Sequence, residues 1–416
     1  MKNFLLNKPN DMSRKSVFWN IVANSLNSII SIILLWAVTH INGTNDAGVF
    51  SLGFSTAQMM LTVGNFGMRN YQATDVSNKY SQETYVASRW FTSFIMIICT
   101  FFFLAFKKYY LEKSLIVLLM CILKVTDALD DVYGGYYQKM NRLDLSGKIL
   151  FLRIIEYSLA FLIVLGLTHN MCLAIIIAII VSSVSLVWMV SVLKKLFPVA
   201  APDFSWLRIK GLLKECIPLC ISAFLLVYMG NAPKYAIDSY LSNNMQAIYN
   251  FLFMPCFVIN LFVGFVLQPL LVKLSVLWKE NRFCEFKKIC AIIYSGTVII
   301  GIIIIACGHF FGCPLLSLFF GVDLNSYQNI LTILLLGGAI FALASITQTI
   351  LTVMRHQYSI LWGFAISNVL ITIFAPVLVR QLNLQGASWS YTIAACVLFI
   401  VLLICFFFFW REKAVC

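Results

Sequence analysis

The sequence predicts an all-α integral membrane protein in which twelve transmembrane helices form two six-helix lobes related as parallel repeats. Three observations carry that prediction. Of 416 residues, 61% are hydrophobic and only 11% charged, against about 25% charged in soluble domains. Apolar stretches of about 18 residues or more, enough to cross a hydrocarbon core of about 30 Å, recur from end to end. They are continuous rather than alternating, which excludes a membrane β-barrel. Finally, basic residues collect in every second connection, as the positive-inside rule requires.

The spans lie near 17–40, 47–67, 85–106, 114–137, 146–167, 171–193, 212–240, 245–271, 287–310, 327–352, 358–379 and 386–410. The first follows a basic leader (Lys2, Lys8, Arg14, Lys15). It is too long for a signal-peptide core and no small-residue cleavage site follows, so it remains a helix. At about 100° per residue, its Asn20, Asn24, Asn27, Ser28 and Ser31 share one face. In the second span Ser51, Ser55, Gln58, Thr62, Asn65 and Arg69 fall within a sector of about 80°. The third and fourth spans are separated by Lys107, Lys108 and Lys113, and the short basic turn "KMNR" (139–142) leads into the fifth. The longest connection, "LKKLFPVAAPDFSWLRIKGLLKE", follows the sixth span and divides the chain into lobes 1–210 and 211–416. In the seventh span Asn231, Lys234, Tyr235 and Asp238 share a face; the eighth offers Tyr249, Asn250, Asn260 and Gln268. Cys307 and Cys313 flank an outside loop after the ninth and are placed to pair across it in an oxidising space. The turn "VMRH" (353–356) after the tenth repeats the basic turn after the fourth, and Arg380 separates the last two spans.

With the N-terminus in the cytoplasm, 23 basic residues lie inside and five (Lys107, Lys108, Lys113, Lys234, Arg380) at or near the outside. The inside set includes Arg69, Lys79 and Arg89 between the second and third spans. The net charge of +13 is thus mostly topological and does not indicate nucleic-acid binding, although basic amphipathic loops suit anionic lipid. Thirteen cysteines lack metal-ligand spacing and read as packing residues. Neither a metal site nor a cofactor is expected. No connection is large enough to hold a catalytic domain.

The halves also match in sequence. An offset of 200 gives seven identities between 47 and 80, including "LTVG" (61–64) over "LFVG" (261–264). Six spans per half is an even number, so the repeats run parallel about an axis along the membrane normal.

The fourth span contains the strongest anomaly: Lys124, Asp127, Asp130 and Asp131 where lipid should be crossed, with Arg153 and Glu156 at similar depth on the fifth. Lys124 with Glu156, and Asp127 or Asp131 with Arg153, are the expected cross-helix pairs. Asp130 points elsewhere; Asp130 and Asp131 are either functional charges or simply solvated at the helix end. Charges at such depth are functional candidates by default; the competing reading is a fixed ion-pair network that holds the lobe together. Likewise, the polar stripes either line a wet cavity or serve as helix glue and backbone-bonded side chains. Gly64, Gly67, Gly134, Gly135 and Pro233 are flexing points or packing positions.

"DDVYGGYYQKMNRLDLSGKILFLR" resembles the fourth-to-fifth-helix turn of Wzx-type O-antigen and polysaccharide flippases. These belong to the MOP (multidrug/oligosaccharidyl-lipid/polysaccharide) exporter superfamily, with the MATE multidrug antiporters and lipid II flippases. "NDAGVFSLGFS" (45–55) and "LNLQGASWSYTIAA" (382–395) resemble patterns of that superfamily too. The resemblance implies a V of two lobes, a central cavity and alternating access. It implies transfer of an undecaprenyl-pyrophosphate-linked oligosaccharide, the O-antigen repeat unit, from the cytoplasmic to the periplasmic leaflet of the bacterial inner membrane. Both termini would be cytoplasmic, with membrane lipids, a coupling cation (H+ or Na+) and polysaccharide polymerase or chain-length machinery as partners. On this reading Arg69, Lys124, Arg153 and Lys234 meet phosphate, while Asn20, Asn24, Asn27, Gln58, Asn65 and Asn231 replace water around sugar hydroxyls. Asp127, Asp131, Glu156 and Asp238 are the ion-coupling candidates. Two rivals are a cation-coupled exporter of small amphiphilic molecules and, less well matched, a membrane polysaccharide polymerase.

Overall fold

The computed structural model of the protein describes residues 12–75, 79–140, 142–194, 196–198, 201–256, 259, 274, 276–354 and 356–414. Among these residues every regular element is helical. In order they are α1 (Met12–Asn42), α2 (Thr44–Asn65), α3 (Met68–Thr74), α4 (Gln82–Lys107), α5 (Leu111–Lys139), α6 (Leu143–Thr168) and α7 (Met171–Leu193). Then follow α8 (Trp206–Tyr240), α9 (Asn243–Phe253), α10 (Phe283–Cys307), a π-helical turn (Gly308–Gly312), α11 (Cys313–Phe320), a 3₁₀ turn (Asn325–Tyr327), α12 (Gln328–Val353) and α13 (Gln357–Ala414). α9 is the described start of the eighth predicted span; Asn260 and Gln268 lie outside the described residues.

Length and apolarity mark eight described stretches as able to cross a membrane. One of them, Tyr358–Arg411, has 54 residues and would be about 80 Å long as a single rod. It is therefore two crossings, jointed at Asn383 (φ 53°, ψ −132°). The connection expected around Arg380 is helical apart from that joint. α2 and α5 fall short on composition because of their polar side chains, and the structure shelters both. In α2 only Asn45 is exposed, and the helix packs against α1, α4 and α5.

The loop expected between Cys307 and Cys313 is absent. A π-turn and the eight-residue α11 continue α10 instead, and both thiols are free. Gly308, Gly312 and Pro314 punctuate the sequence like a loop, yet a π-turn absorbs them without leaving the helix.

The chain divides into two compact units, Met1–Phe224 and Leu225–Cys416, with the division inside α8. In the first, α1 packs on α6, α2 on α5, and α7 on both α5 and α6. Tyr137, Leu145, Ile149, Met189 and Leu193 form one apolar knot that joins α5, α6 and α7. A second, of Met68, Tyr85, Val86, Val132, Leu212 and Cys216, joins α3, α4, α5 and the leading part of α8. In the second unit α12 packs against α10 and α13, and α9 lies against α11 and α12. One feature of the first unit positions the site described below: α2 stops at Phe66 (φ 50°) and Gly67 (φ 66°), two successive left-handed residues, and the chain restarts as α3.

Helix contact inside membranes relies on small residues, and Gly147 of α6 shows it. A Cβ there would lie 2.6 Å from the Trp19 carbonyl carbon and oxygen of α1, a backbone neighbour that cannot turn aside. Gly147→Ala should lower stability by about 1–3 kcal/mol. Gly166→Ala on the same helix meets nothing within 4 Å and should be neutral or slightly stabilising. Thermal unfolding of the two variants in detergent compares them directly; equal midpoints would show that α1 and α6 do not touch there.

Candidate functional site

Four charged residues on α5 recruit three cations from other elements, and the first unit is built around their pairing. Arg153 of α6 is fully buried and serves two carboxylates at once. Its Nη1 lies 2.6 Å from Asp127 Oδ1 and its Nη2 donates to Asp130 Oδ2 at 3.1 Å. Nη1 also donates to the hydroxyls of Thr126 and Ser182, each at 3.0 Å. Lys124 donates to the other oxygen of Asp127 at 2.6 Å and sits 4.9 Å above the centre of the Phe54 ring, a cation–π arrangement.

One turn away, Asp131 accepts from two guanidinium groups, Arg69 Nη1 at 3.2 Å and Arg89 Nη2 at 2.7 Å. Arg69, on α3, uses its remaining nitrogens on Ser146 Oγ (3.0 Å) and Gln138 Oε1 (3.5 Å). Gly134 makes room for it: a Cβ at that position would come within 3.4 Å of Arg69 Nη1. Arg89, on α4, donates through Nη1 to the Gly64 carbonyl (2.7 Å) and to Asn65 Oδ1 (3.2 Å).

The structure thus brings together Arg69, Lys124, Arg153, Asp127, Asp131 and Asn65 of the sequence-predicted set, and adds Asp130 and Arg89. Three expectations change. Lys124 pairs with Asp127 rather than Glu156, because a lysine stem reaches a carboxylate three residues on along its own helix; among the described residues Glu156 has no ion pair. Asp130 is neither solvated nor turned away; it is buried on Arg153. Arg89, counted above with the cytoplasmic basic residues, has no exposed surface.

Asn65 and Arg69 are the members of the polar stripes that join this network; the stripe of the first span bonds to its own helix. Asn24 donates to the Asn20 carbonyl at 2.7 Å and to its side-chain oxygen at 3.1 Å, and Ser28 and Ser31 bond back to their own helix. Asn24 and Ser28 are nonetheless exposed, with Asn20, Asn27 and Ser31 half-buried. Gln58 keeps a buried Oε1 with no hydrogen-bond partner among the described residues. In the second unit Asn231 and Lys234 are both buried, and Asp238 is half-buried. Lys234, expected at or near the outside, lies 5.1 Å from the centre of the Phe253 ring.

A separate polar cluster ties α3 to the leading part of α8. Glu215 accepts from Tyr71 Oη, from Lys79 Nζ at 2.5 Å and from Tyr80 Oη at 3.1 Å. That hydrogen bond with Glu215 holds the Lys79 ammonium above its ordinary range and raises the Tyr71 phenol as well.

Four cations (Arg69, Arg89, Lys124, Arg153) meet three carboxylates (Asp127, Asp130, Asp131), a formal excess of one positive charge. The side chains of Arg89 and Arg153 are fully buried and that of Lys124 is 3% exposed, whereas that of Arg69 is 29% exposed. The surplus can therefore meet an incoming anion at Arg69.

Residues 13–275 match the profile of a family described as "Polysaccharide biosynthesis protein". The chain belongs to that family. Among its relatives is the capsular polysaccharide biosynthesis protein CapF of Staphylococcus aureus, 23% identical over 408 residues that cover 96% of this chain and 99% of CapF. The fold is shared with the lipid II flippase MurJ in an inward closed conformation (TM-score 0.72, 13% identity, 94% of this chain and 87% of that one). It is shared also with the inward-facing conformation of a multidrug resistance MATE family transporter of the MOP superfamily (TM-score 0.65, 14% identity, 95% and 98% covered). The chain is thus a multi-pass membrane protein of the polysaccharide biosynthesis family with a MATE- and MurJ-like fold.

Removing one partner from a buried ion cluster costs more than the cluster itself contributes, since the other charges stay buried. Arg153→Met, which strands Asp130 and leaves Asp127 with Lys124 alone, should lower stability by about 3–5 kcal/mol. Thr126→Val, which removes one hydroxyl acceptor, should cost about 1 kcal/mol. Denaturation in detergent micelles separates the two. Near-equal losses would mean that Arg153 does not carry both carboxylates.

Proposed function

We propose that the protein is a flippase that moves an undecaprenyl-pyrophosphate-linked oligosaccharide from the cytoplasmic to the periplasmic leaflet by alternating access. The cargo would be the repeat unit of a surface polysaccharide, O-antigen or capsule. Family membership supports the pathway class. The observation that carries the reading is the partly exposed Arg69 guanidinium on a cluster with one surplus positive charge. A lipid tail can stay in hydrocarbon during transfer, but the pyrophosphate must leave water, and a fixed guanidinium is a suitable replacement. Sugar hydroxyls would find donors and acceptors in the exposed amide stripe of α1 and in Gln58. With the N-terminus cytoplasmic, the end of α2 and the following α3, which bears Arg69, lie toward the cytoplasm, where such a substrate is assembled. Asp127, Asp131, Glu156 and Asp238 remain the proposed carriers of any ion coupling.

A multidrug exporter has the same fold. A cluster with a positive surplus, however, repels the organic cations that such exporters commonly carry and attracts phosphate.

Deletion of the gene should abolish surface polysaccharide and leave the lipid-linked unit on the cytoplasmic side, and the wild-type chain should restore both. Arg69→Ala and Lys124→Ala should complement at least about tenfold less well, the effect of losing one charge-assisted hydrogen bond. A deletion strain with normal polysaccharide but heightened sensitivity to cationic dyes would favour the exporter instead.

A further inference from the structure

We propose that Arg89 is a positioning residue: from behind the site it holds Asp131 to one side and so leaves the Arg69 guanidinium oriented and under-neutralised, ready for phosphate. The inference rests on the flippase reading and deepens it.

Its starting point is the break in α2. In an unbroken helix the Gly64 carbonyl would accept from the amide four residues on. With Phe66 and Gly67 both left-handed, side chains serve that carbonyl instead: Arg89 Nη1 and Thr92 Oγ1, each at 2.7 Å. A wholly buried guanidinium is costly unless every charge and donor near it is matched. Arg89 meets most of that demand through its two terminal nitrogens, which span the broken end of α2 (Gly64 and Asn65) and α5 (Asp131) from its own α4; its Nε is buried without a hydrogen-bond partner among the described residues.

Asp131 has two oxygens and two claimants. Arg89 holds Oδ2 at 2.7 Å, and Arg69 is left with Oδ1 at 3.2 Å. Arginine and carboxylate prefer to pair through two parallel bonds. Without Arg89, Asp131 would be free to turn both oxygens to Arg69, whose charge would then be fully matched and whose open face would offer an anion little. With Arg89 in place the carboxylate is divided, and the surplus charge of the cluster appears at its most exposed member. Ser146 and Gln138 fix the plane of the Arg69 guanidinium, so its unshared face has one direction. Arg89 itself is buried too deeply to touch a ligand; its effect must pass through Asp131 and Arg69.

The test is a double-mutant cycle on the full-length chain purified in detergent, with undecaprenyl pyrophosphate as the titrant. Arg89→Ala should weaken binding about tenfold or more, as should Arg69→Ala. Arg89→Lys, which keeps the charge but not the fork that reaches both Gly64 and Asp131, should recover part of the loss. In the Arg69→Ala background, Arg89→Ala should add almost nothing, because its route to the ligand is gone. Losses that multiply, or an Arg89→Ala protein that binds like wild type, would overturn the positioning role while leaving the flippase reading intact. A wild-type chain with no affinity for undecaprenyl pyrophosphate would overturn the flippase reading itself, and the site Arg89 serves with it. Where Arg89→Ala fails to fold, Arg89→Lys with and without Arg69→Ala completes the same cycle.

Discussion

A carboxylate inside a bundle of apolar helices must have a cation against it, and the first unit is arranged to meet that requirement three times over. Asp127, Asp130 and Asp131 lie within little more than one turn of α5. Their partners come from α3, α4, α5 itself and α6. No single neighbouring helix could have supplied them all. The polar face of α5 is consequently wrapped on every side, and the short α3 exists to bring Arg69 to it. The break in α2 belongs to the same requirement. It redirects the chain toward α5 and leaves a carbonyl that helps Arg89 endure complete burial.

The network has two ends of different character. Around Arg153, Lys124, Asp127 and Asp130 the charges are matched, sheltered and supplemented by the hydroxyls of Thr126 and Ser182. That end has the features of a structural ion cluster. Around Asp131 the balance tips positive and one guanidinium is open. Of the two readings that the sequence leaves in competition, a fixed ion-pair network fits the first end, and a ligand site is the reading proposed for the second. A cluster of this kind can hold a lobe together and still present a charge to a substrate.

How much of this was legible in the sequence depends on whether the information is local. Residues 171–193 read as a span and form α7 within those same bounds, because apolar content and the Asn170 cap, which accepts from the Leu173 amide at 3.0 Å, are properties of neighbours along the chain. Depth counting at 1.5 Å per residue gave Asp127 or Asp131 as the partner of Arg153, and the structure pairs it with Asp127. No such count finds Arg89. At the foot of a span, after Glu83, it looks like one more cytoplasmic cation, and its burial depends on a carbonyl freed 25 residues earlier. The available hint was Asn65-Phe66-Gly67 interrupting an otherwise helical run, which marks a chain break but names no recipient. Lys124 was misassigned for the opposite reason. Its partner is so local, three residues on, that looking across to α6 passed over it.

Asn383 has a bearing on how the molecule is made. The last two spans meet at one joint residue, and the hydrophilic side chains between them, Arg380, Gln381, Asn383 and Gln385, are confined to a short helical stretch. A newly synthesised segment is anchored across a bilayer by polar chain on its far side, and here that chain is short. The two spans are therefore best suited to inserting as one folded hairpin, so that this end of the protein gains its topology in a single biosynthetic event.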